Sequence, residues 1–375
     1  MLFKRAKLFY QGHFIPGSFR VEDGRFQSVC PDPEPAGEGL DLRGARVIPG
    51  LIDIHTHGNS GADFSDGELE GLKTMARYSA LHGVTSFAPT SMTLPYEVLA
   101  KAFATARALA DERPEDCARV MGVNMEGPFF SEKKKGAQNG AYLRLPDFEA
   151  FARLQRESGG IVKLVDLAPE LAGAEEFARK AKALAKVSVA HTDASYEDAC
   201  RLFDAGASHV THLFNAMPPL HHRKPGVIGA AAERDEVVAE LICDGLHIHP
   251  SVIRAAFRLF PGRIAVISDS LRCCGMPNGE YELGGQQVYL KDRLATLADG
   301  TIAGSASNLY DCFLTVLSCG IAAEPAVTAC TLIPAQELGC ADRVGSIEDG
   351  KLADFVVCGE DFSRESVWLG GLCIA

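Results

Sequence analysis

The chain has 375 residues, 47% of them hydrophobic and 23% charged, and a net charge of −12. That balance is ordinary for a globular protein and provides no basic surface for a nucleic-acid partner, although an acidic chain can still carry a local cationic pocket for an anionic substrate. No run of 18 or more apolar residues occurs, so no membrane span is expected.

The first 49 residues read as short β-prone segments, "LFKRAKLFYQG" and "GSFRVEDGRFQSVC", split by Gly, Pro and Asp-Gly turns. The opening stretch has no signal-peptide apolar region. The twelve cysteines are scattered without a C-x-x-C pair, so a reduced, cytoplasmic protein is expected. From Leu51 the pattern changes to short apolar runs: "GLIDIHTH", "VTSFAPT", "RVMGVNMEG", "IVKLVDLAPE", "KVSVAHT", "HVTHLFN", "VVAELICDG" and "RIAVISDS". Several are almost continuously apolar, as parallel strands covered on both faces must be. Amphipathic stretches such as "ELEGLKTMARYSALHG" and "PYEVLAKAFATARALADE" lie between many of them. Eight strands with crossovers predict an α/β (β/α)8 TIM-like barrel; an open doubly wound sheet is disfavoured because no G-x-G-x-x-G follows the first strand. "GEYELGGQQVYLKDRLATLADGTIAG" predicts a β-rich insertion near 278–303, and "IEDGKLADFVVCGEDFSRESVWLGG" returns to strands. The expected organisation is a small β-sandwich domain built from both termini (1–49 and 343–375) and a barrel over 50–342.

Polar residues collect where the apolar runs end, which is where barrel active sites lie. His55 and His57 stand two apart at the end of the first run, so both imidazoles point the same way. Glu126, His191, His212 and Asp269 follow at the ends of, or within, runs three, five, six and eight. Imidazoles and a carboxylate are ligands that Zn²⁺ and its first-row neighbours take, so the set predicts a metal centre. Asp269 is the candidate acid/base, able to take a proton from a metal-activated water and pass it to a leaving group. Asn215 and Ala216 follow His212, and Arg223 and Lys224 stand in a Pro/Gly-rich loop. Arg223 suits bidentate contact with a phosphate or carboxylate; Lys224 reads as a solvated charge. His247 falls just beyond run seven, on the same rim. His13, His82 and His209 read as structural, and Cys273 and Cys274 as packing residues.

With these residues in view, "PGLIDIHTHG", "EGPF", "AHTDA", "THLFNAMPPLHHRKPG", "DGLH", "ISDS" and "GEYELGG" resemble the N-acetylglucosamine-6-phosphate deacetylases of the amidohydrolase superfamily. The likeness runs from about Pro49 to "GSIEDGKLADFVV". It implies metal-dependent hydrolysis of an acetamide on an amino-sugar phosphate, with Zn²⁺ as the default ion and Fe, Mn or Co accommodated. It also implies Glu126, His191 and His212 as primary ligands, His55 and His57 as the pair for a second ion, and Asp269 as the acid/base. Asn215, the Ala216 backbone amide, Arg223 and His247 are implied substrate contacts, with Arg223 serving the neighbouring subunit of a homodimer. Where many relatives read Lys-Gly-Ala-His-Asn, this chain has "KGAQNGAY", which makes Gln138 a substrate contact that cannot carry charge. Three alternatives stay open: the galacto epimer as substrate, another amidohydrolase reaction, and a non-catalytic barrel. Lys163, early in its run rather than at the end, argues against the cyclic amidases that bridge two ions with a carbamylated lysine.

Overall fold

A computed structural model describes residues 1–32 and 35–375. The eight apolar runs form β1 (Leu51–Thr56), β2 (Val84–Pro89), β3 (Val123–Phe129), β4 (Val162–Leu167), β5 (Lys186–Val189), β6 (His209–Val210), β7 (Val238–Ile242) and β8 (Ile264–Ile267). Neighbours pair in parallel, and two single bridges, Thr90 to Asn124 and Thr56 to Ser270, complete the closed barrel between β2 and β3 and between β8 and β1. β1 and β2 are buried at every position, which explains why their sequences do not alternate.

The helices that return the chain are α1 (Leu69–Leu81), α2 (Tyr96–Glu112), α3 (Phe148–Glu157), α4 (Ala174–Ala181), α5 (Tyr196–Ala205), α6 (Gly226–Ala232), α7 (Pro250–Leu259) and α8 (Leu309–Ser318). Each presents one apolar stripe to the sheet; in α1 it is Leu72, Met75, Ala76 and Ala80, spaced three and four apart. Local signals set the helix starts. Ser195 and Asp198 close a reciprocal capping box on α5, and the Asp147 carboxylate caps α3 through Ala150 N. After α8, α9 (Ala323–Cys330) and α10 (Leu332–Glu337) follow, and Ile333, Ala335 and Leu338 pack against the inward-facing Ile52, Ile54, Leu164 and Ile267.

The termini build one continuous eight-stranded sheet. The C-terminal strand Phe355–Cys358 pairs antiparallel with Arg46–Pro49, immediately before β1. The sheet folds over a cluster of rings: Phe3 stacks on Phe19 at 4.7 Å and meets Trp368 edge-on at 5.0 Å, while Phe26 reaches Phe355 at 5.8 Å. Between β8 and α8 lies a four-stranded antiparallel insertion: Gly279–Leu283, Gln286–Lys291, Leu294–Thr296 and Ile302–Ser305. Its Leu283, Val288, Leu290 and Ala295 pack on Met92, Ala137, Leu271 and Cys273, which seats it over the loops that follow β2, β3 and β8.

Candidate metal centre and substrate cavity

The barrel brings the six predicted metal and acid/base residues to one point. Glu126, on β3, is 1% exposed and lies at the centre. Its Oε1 is 3.0 Å from His191 Nε2 and 3.2 Å from His212 Nε2; its Oε2 is 3.3 Å from His57 Nε2. His55 Nε2 lies 3.7 Å from Glu126 Oε1 and 3.5 Å from Asp269 Oδ1, and the same Asp269 oxygen is 3.3 Å from His57 Nε2. Two triads of metal-ligand geometry therefore share one carboxylate: His55, His57 and Glu126, and Glu126, His191 and His212.

His191, His212 and Asp269 sit two residues beyond the last paired residue of their strands, where the sequence reading had put them at strand ends or within a strand. All three take left-handed backbone angles, with φ of 42°, 32° and 49°. Such angles cost roughly 1–3 kcal/mol in a non-glycine residue and persist where surrounding contacts fix them. Asp269 N, for example, donates to His55 O, and Thr211 N to Val189 O.

With neutral imidazoles the centre carries net negative charge, from Glu126 and Asp269. Burial pushes Glu126 up, but the charge of His55 and the hydrogen bonds from His191 and His212 outweigh it and hold Glu126 well below the carboxylate range. Asp269 is lowered in the same way, with His57 the leading partner against burial. His55 is driven well above the usual imidazole range, against burial, by Glu240 and Glu126. Such a set holds positive charge firmly. His55 Nε2 is buried, faces carboxylate oxygens and has no hydrogen-bond partner among the described residues. A cation among these atoms satisfies it, so the donor set and its geometry fit a divalent metal.

Above the centre opens a cavity of ≈ 330 Å³ lined by His57, Glu126, His191, His212 and Asp269, and by Gln138, Asn215, Ala216 and His247. His247 is oriented by Asp244, whose Oδ2 is 2.7 Å from Nδ1. The Asn215 amide donates to His212 O at 3.2 Å, which ties that side chain to the ligand loop. Gln138 is only 3% exposed, and its amide is already engaged: Nε2 donates to Glu126 Oε2 at 2.7 Å and Oε1 accepts Thr93 N at 2.7 Å. In this chain it therefore clamps the shared carboxylate as well as lining the cavity. Arg223 does not line this cavity; it is exposed and contacts His222 at 2.6 Å.

Sequence reasoning missed several lining groups. Lys133 and Lys134 belong to the loop after β3, and Thr301, Ile302, Ala303 and Gly304 come from the insertion. No local signal marks them, because only the fold lays the insertion across the mouth. Glu240 and Glu337 were missed for the same reason. His82 caps α1 and stacks on Tyr78 at 4.0 Å, and Cys273 and Cys274 are buried packing residues, as expected. A separate cavity of ≈ 280 Å³, bordered by Arg25, Arg113, Lys163 and Arg343, shares no residue with the centre and, among the described residues, contains no imidazole.

His209 is fully buried between Glu240 and Glu337. Burial lowers its pKa, but those two carboxylates raise it further, to about 9. A histidine raised on folding stabilises most below its unfolded pKa, near 6.5, and the contribution fades as pH climbs through 9. Metal-stripped protein should therefore lose about 3 kcal/mol of unfolding free energy between pH 6 and 10 from this residue. Denaturant titrations of wild type and His209→Gln check it: the variant should lack that slope.

The family model described as "Amidohydrolase family" matches residues 46–373. The N-acetylglucosamine-6-phosphate deacetylase of Bacillus subtilis is 39% identical over 366 residues, covering 92% of this chain and 89% of the relative. An N-acetylgalactosamine-6-phosphate deacetylase of Escherichia coli O157:H7 is 31% identical over 372 residues, covering 98% and 97%. Among solved structures, an Asp→Ala mutant of the Mycobacterium smegmatis N-acetyl-D-glucosamine-6-phosphate deacetylase, in complex with N-acetyl-D-glucosamine-6-phosphate, superposes with a TM-score of 0.95 at 28% identity, covering 100% of this chain and 99% of that one.

Proposed function

The chain belongs to the amidohydrolase family, and from that premise we infer that it hydrolyses the acetamide of N-acetylglucosamine-6-phosphate, releasing glucosamine-6-phosphate and acetate. The observation that carries this reading is the convergence of Glu126, four histidine Nε2 atoms and Asp269 on one point, with all but His55 lining one cavity. His191 and His212 with Glu126 would hold a primary ion, and His55 and His57 with the same carboxylate a second. Zn²⁺ is our choice for these N and O donors. A bound ion supplies a water acidified toward neutrality and a Lewis acid for the amide carbonyl.

The protein's own groups do the rest. Asp269, facing the cavity beside His57 Nε2, takes the proton of the attacking water on its carboxylate and returns it to the departing nitrogen. Without that transfer the amine would leave as an anion. His247, held by Asp244, and Asn215, held by the His212 loop, orient the sugar, so that binding is converted into alignment of the amide.

Arg223 supplies the phosphate contact across a homodimer on this reading, supported by its exposure and its absence from its own cavity. Arg223→Ala is expected to lower kcat/KM for the phosphorylated sugar about 10–10²-fold, the size of a charge-assisted contact, and to leave the unphosphorylated sugar nearly unchanged. Co-refolding Arg223→Ala with Asp269→Asn checks the cross-subunit arrangement. A mixed dimer then holds one intact site and recovers activity, whereas a residue acting within its own subunit yields none.

Twelve free thiols support placement in the cytoplasm. The test of the function is acetate release from N-acetylglucosamine-6-phosphate by stripped protein reloaded with Zn²⁺, Fe²⁺, Mn²⁺ or Co²⁺, with the galacto epimer in parallel. No release from the gluco substrate with any ion overturns it.

A further inference from the structure

The four histidines of the centre differ in what stands behind them. Nδ1 of His57 faces the Thr90 carbonyl at 3.1 Å, and Nδ1 of His191 the Lys134 carbonyl at 3.0 Å. Nδ1 of His212 has no hydrogen-bond partner among the described residues. His55 is the one backed by a carboxylate: its Nδ1 is 2.9 Å from Glu240 Oε2. Glu240 lies within β7, is completely buried, and uses the same oxygen to accept the backbone N–H of His212 at 3.1 Å. Its other oxygen lies 3.2 Å from His209 Nε2.

The series continues away from the cavity. His209 Nδ1 is 2.7 Å from Glu337 Oε2, at the end of α10, and Glu337 Oε1 accepts from Lys186 Nζ at 2.6 Å. Lys186 opens β5 and its side chain is 35% exposed. The chain of groups thus leads from a metal-centre histidine, down the inside of the barrel, to the end opposite the active face. Counting Lys186 and an imidazolium His209 as positive and Glu337 and Glu240 as negative, it is neutral. That is how two buried carboxylates are tolerated so far from water.

We propose that Glu240 is the positioning residue for the His55–His57 metal subsite, held in place from below by His209, Glu337 and Lys186. The inference rests on the two-ion reading given above. A neutral imidazole has one donor nitrogen and one acceptor nitrogen. A carboxylate at Nδ1 makes that nitrogen the donor and leaves the Nε2 lone pair for a metal, and its negative charge strengthens Nε2 as a ligand, which a backbone carbonyl does far less. The buried, unpartnered Nε2 of His55, aimed between Glu126 and Asp269, is what this arrangement produces. The other triad owes nothing to Glu240 through its side chains, so the two subsites should respond differently to its loss.

The experiment compares full-length wild type, Glu240→Gln and Lys186→Met, stripped and reloaded with Zn²⁺. Ions per subunit are read by elemental analysis and affinities by chelator competition. Wild type is expected to hold two ions. Glu240→Gln, which keeps shape but loses charge, should hold one tightly and the second about 10–100-fold more weakly. Adding His191→Ala to it should then remove the remaining tight ion. Lys186→Met should weaken the second ion in the same direction by less. A purely structural Glu240 would move the unfolding midpoint and leave both affinities at wild-type values, which overturns the proposal, as does a wild type that loads a single ion. Should Glu240→Gln fail to fold, unchanged affinities in Lys186→Met overturn it. Wild-type protein that takes up no ion at all overturns the metal reading beneath it, and is told apart because the parent protein itself fails.

Discussion

Asp269→Asn is expected to keep its full complement of metal and to lose about 10²–10⁴-fold in turnover of N-acetylglucosamine-6-phosphate, the range removed with a general acid/base. The carboxylate oxygen Oδ1 stands 3.3 Å from His57 Nε2 and 3.5 Å from His55 Nε2, close to the histidines of one triad without belonging to either triad. Asparagine preserves its size and one acceptor but cannot accept and return a proton. Metal content by elemental analysis, beside acetate release, separates the two contributions. Retained metal with near-normal turnover would remove Asp269 from the proton path. Lost metal would make it a ligand instead. The pH profile adds a second reading: the acidic limb of kcat/KM, where Asp269 must be ionised, should vanish in the variant.

Glu126→Gln should be the more damaging change. Both triads share this carboxylate, so both subsites should weaken together, and activity should fall by about 10³-fold or more, since an ion that polarises the amide and acidifies water is worth several kcal/mol. The substitution is nearly isosteric, but the local geometry turns it against itself. Oε1 faces the Nε2 atoms of His191 and His212, while Oε2 accepts from Gln138 Nε2. An amide has one oxygen, so its NH2 must face either the histidines or the Gln138 donor. Chelator competition should show both ions released more readily. Loss of only one would mean that the triads do not share the carboxylate in function. Replacing Gln138 by Leu, which frees Oε2 without touching a ligand, should give a milder effect of the same sign.

Much of the barrel was legible because its physics is local. Apolar runs with little alternation read as strands covered on both faces, and the three- and four-residue spacing in α1 or α2 reads as a stripe laid on them. The candidate metal residues were legible too, because imidazoles and carboxylates stood where the apolar runs stop. The roles of Asn215, Ala216 and Gln138 came from likeness to known deacetylases, and geometry added a contact to one of them. Gln138 is hydrogen-bonded to the central carboxylate, and Arg223 lies outside the cavity of its own chain. Neither outcome has a signature within a few residues of the chain.

What the sequence determined by itself is the set of strands, the helices between them and the candidate ligands. Those follow from burial periodicity and side-chain chemistry, which act over one element at a time. What the tertiary structure decided is which carboxylate joins the two triads, which residues the insertion lays over the cavity, and that Glu240, His209, Glu337 and Lys186 meet behind His55. Glu240 and Glu337 are 97 positions apart, and Lys186 and Glu337 151. A buried charge gives no periodic signal and becomes stable only when its partners arrive from other strands, so its place is fixed by closure of the barrel and by nothing nearer in the chain.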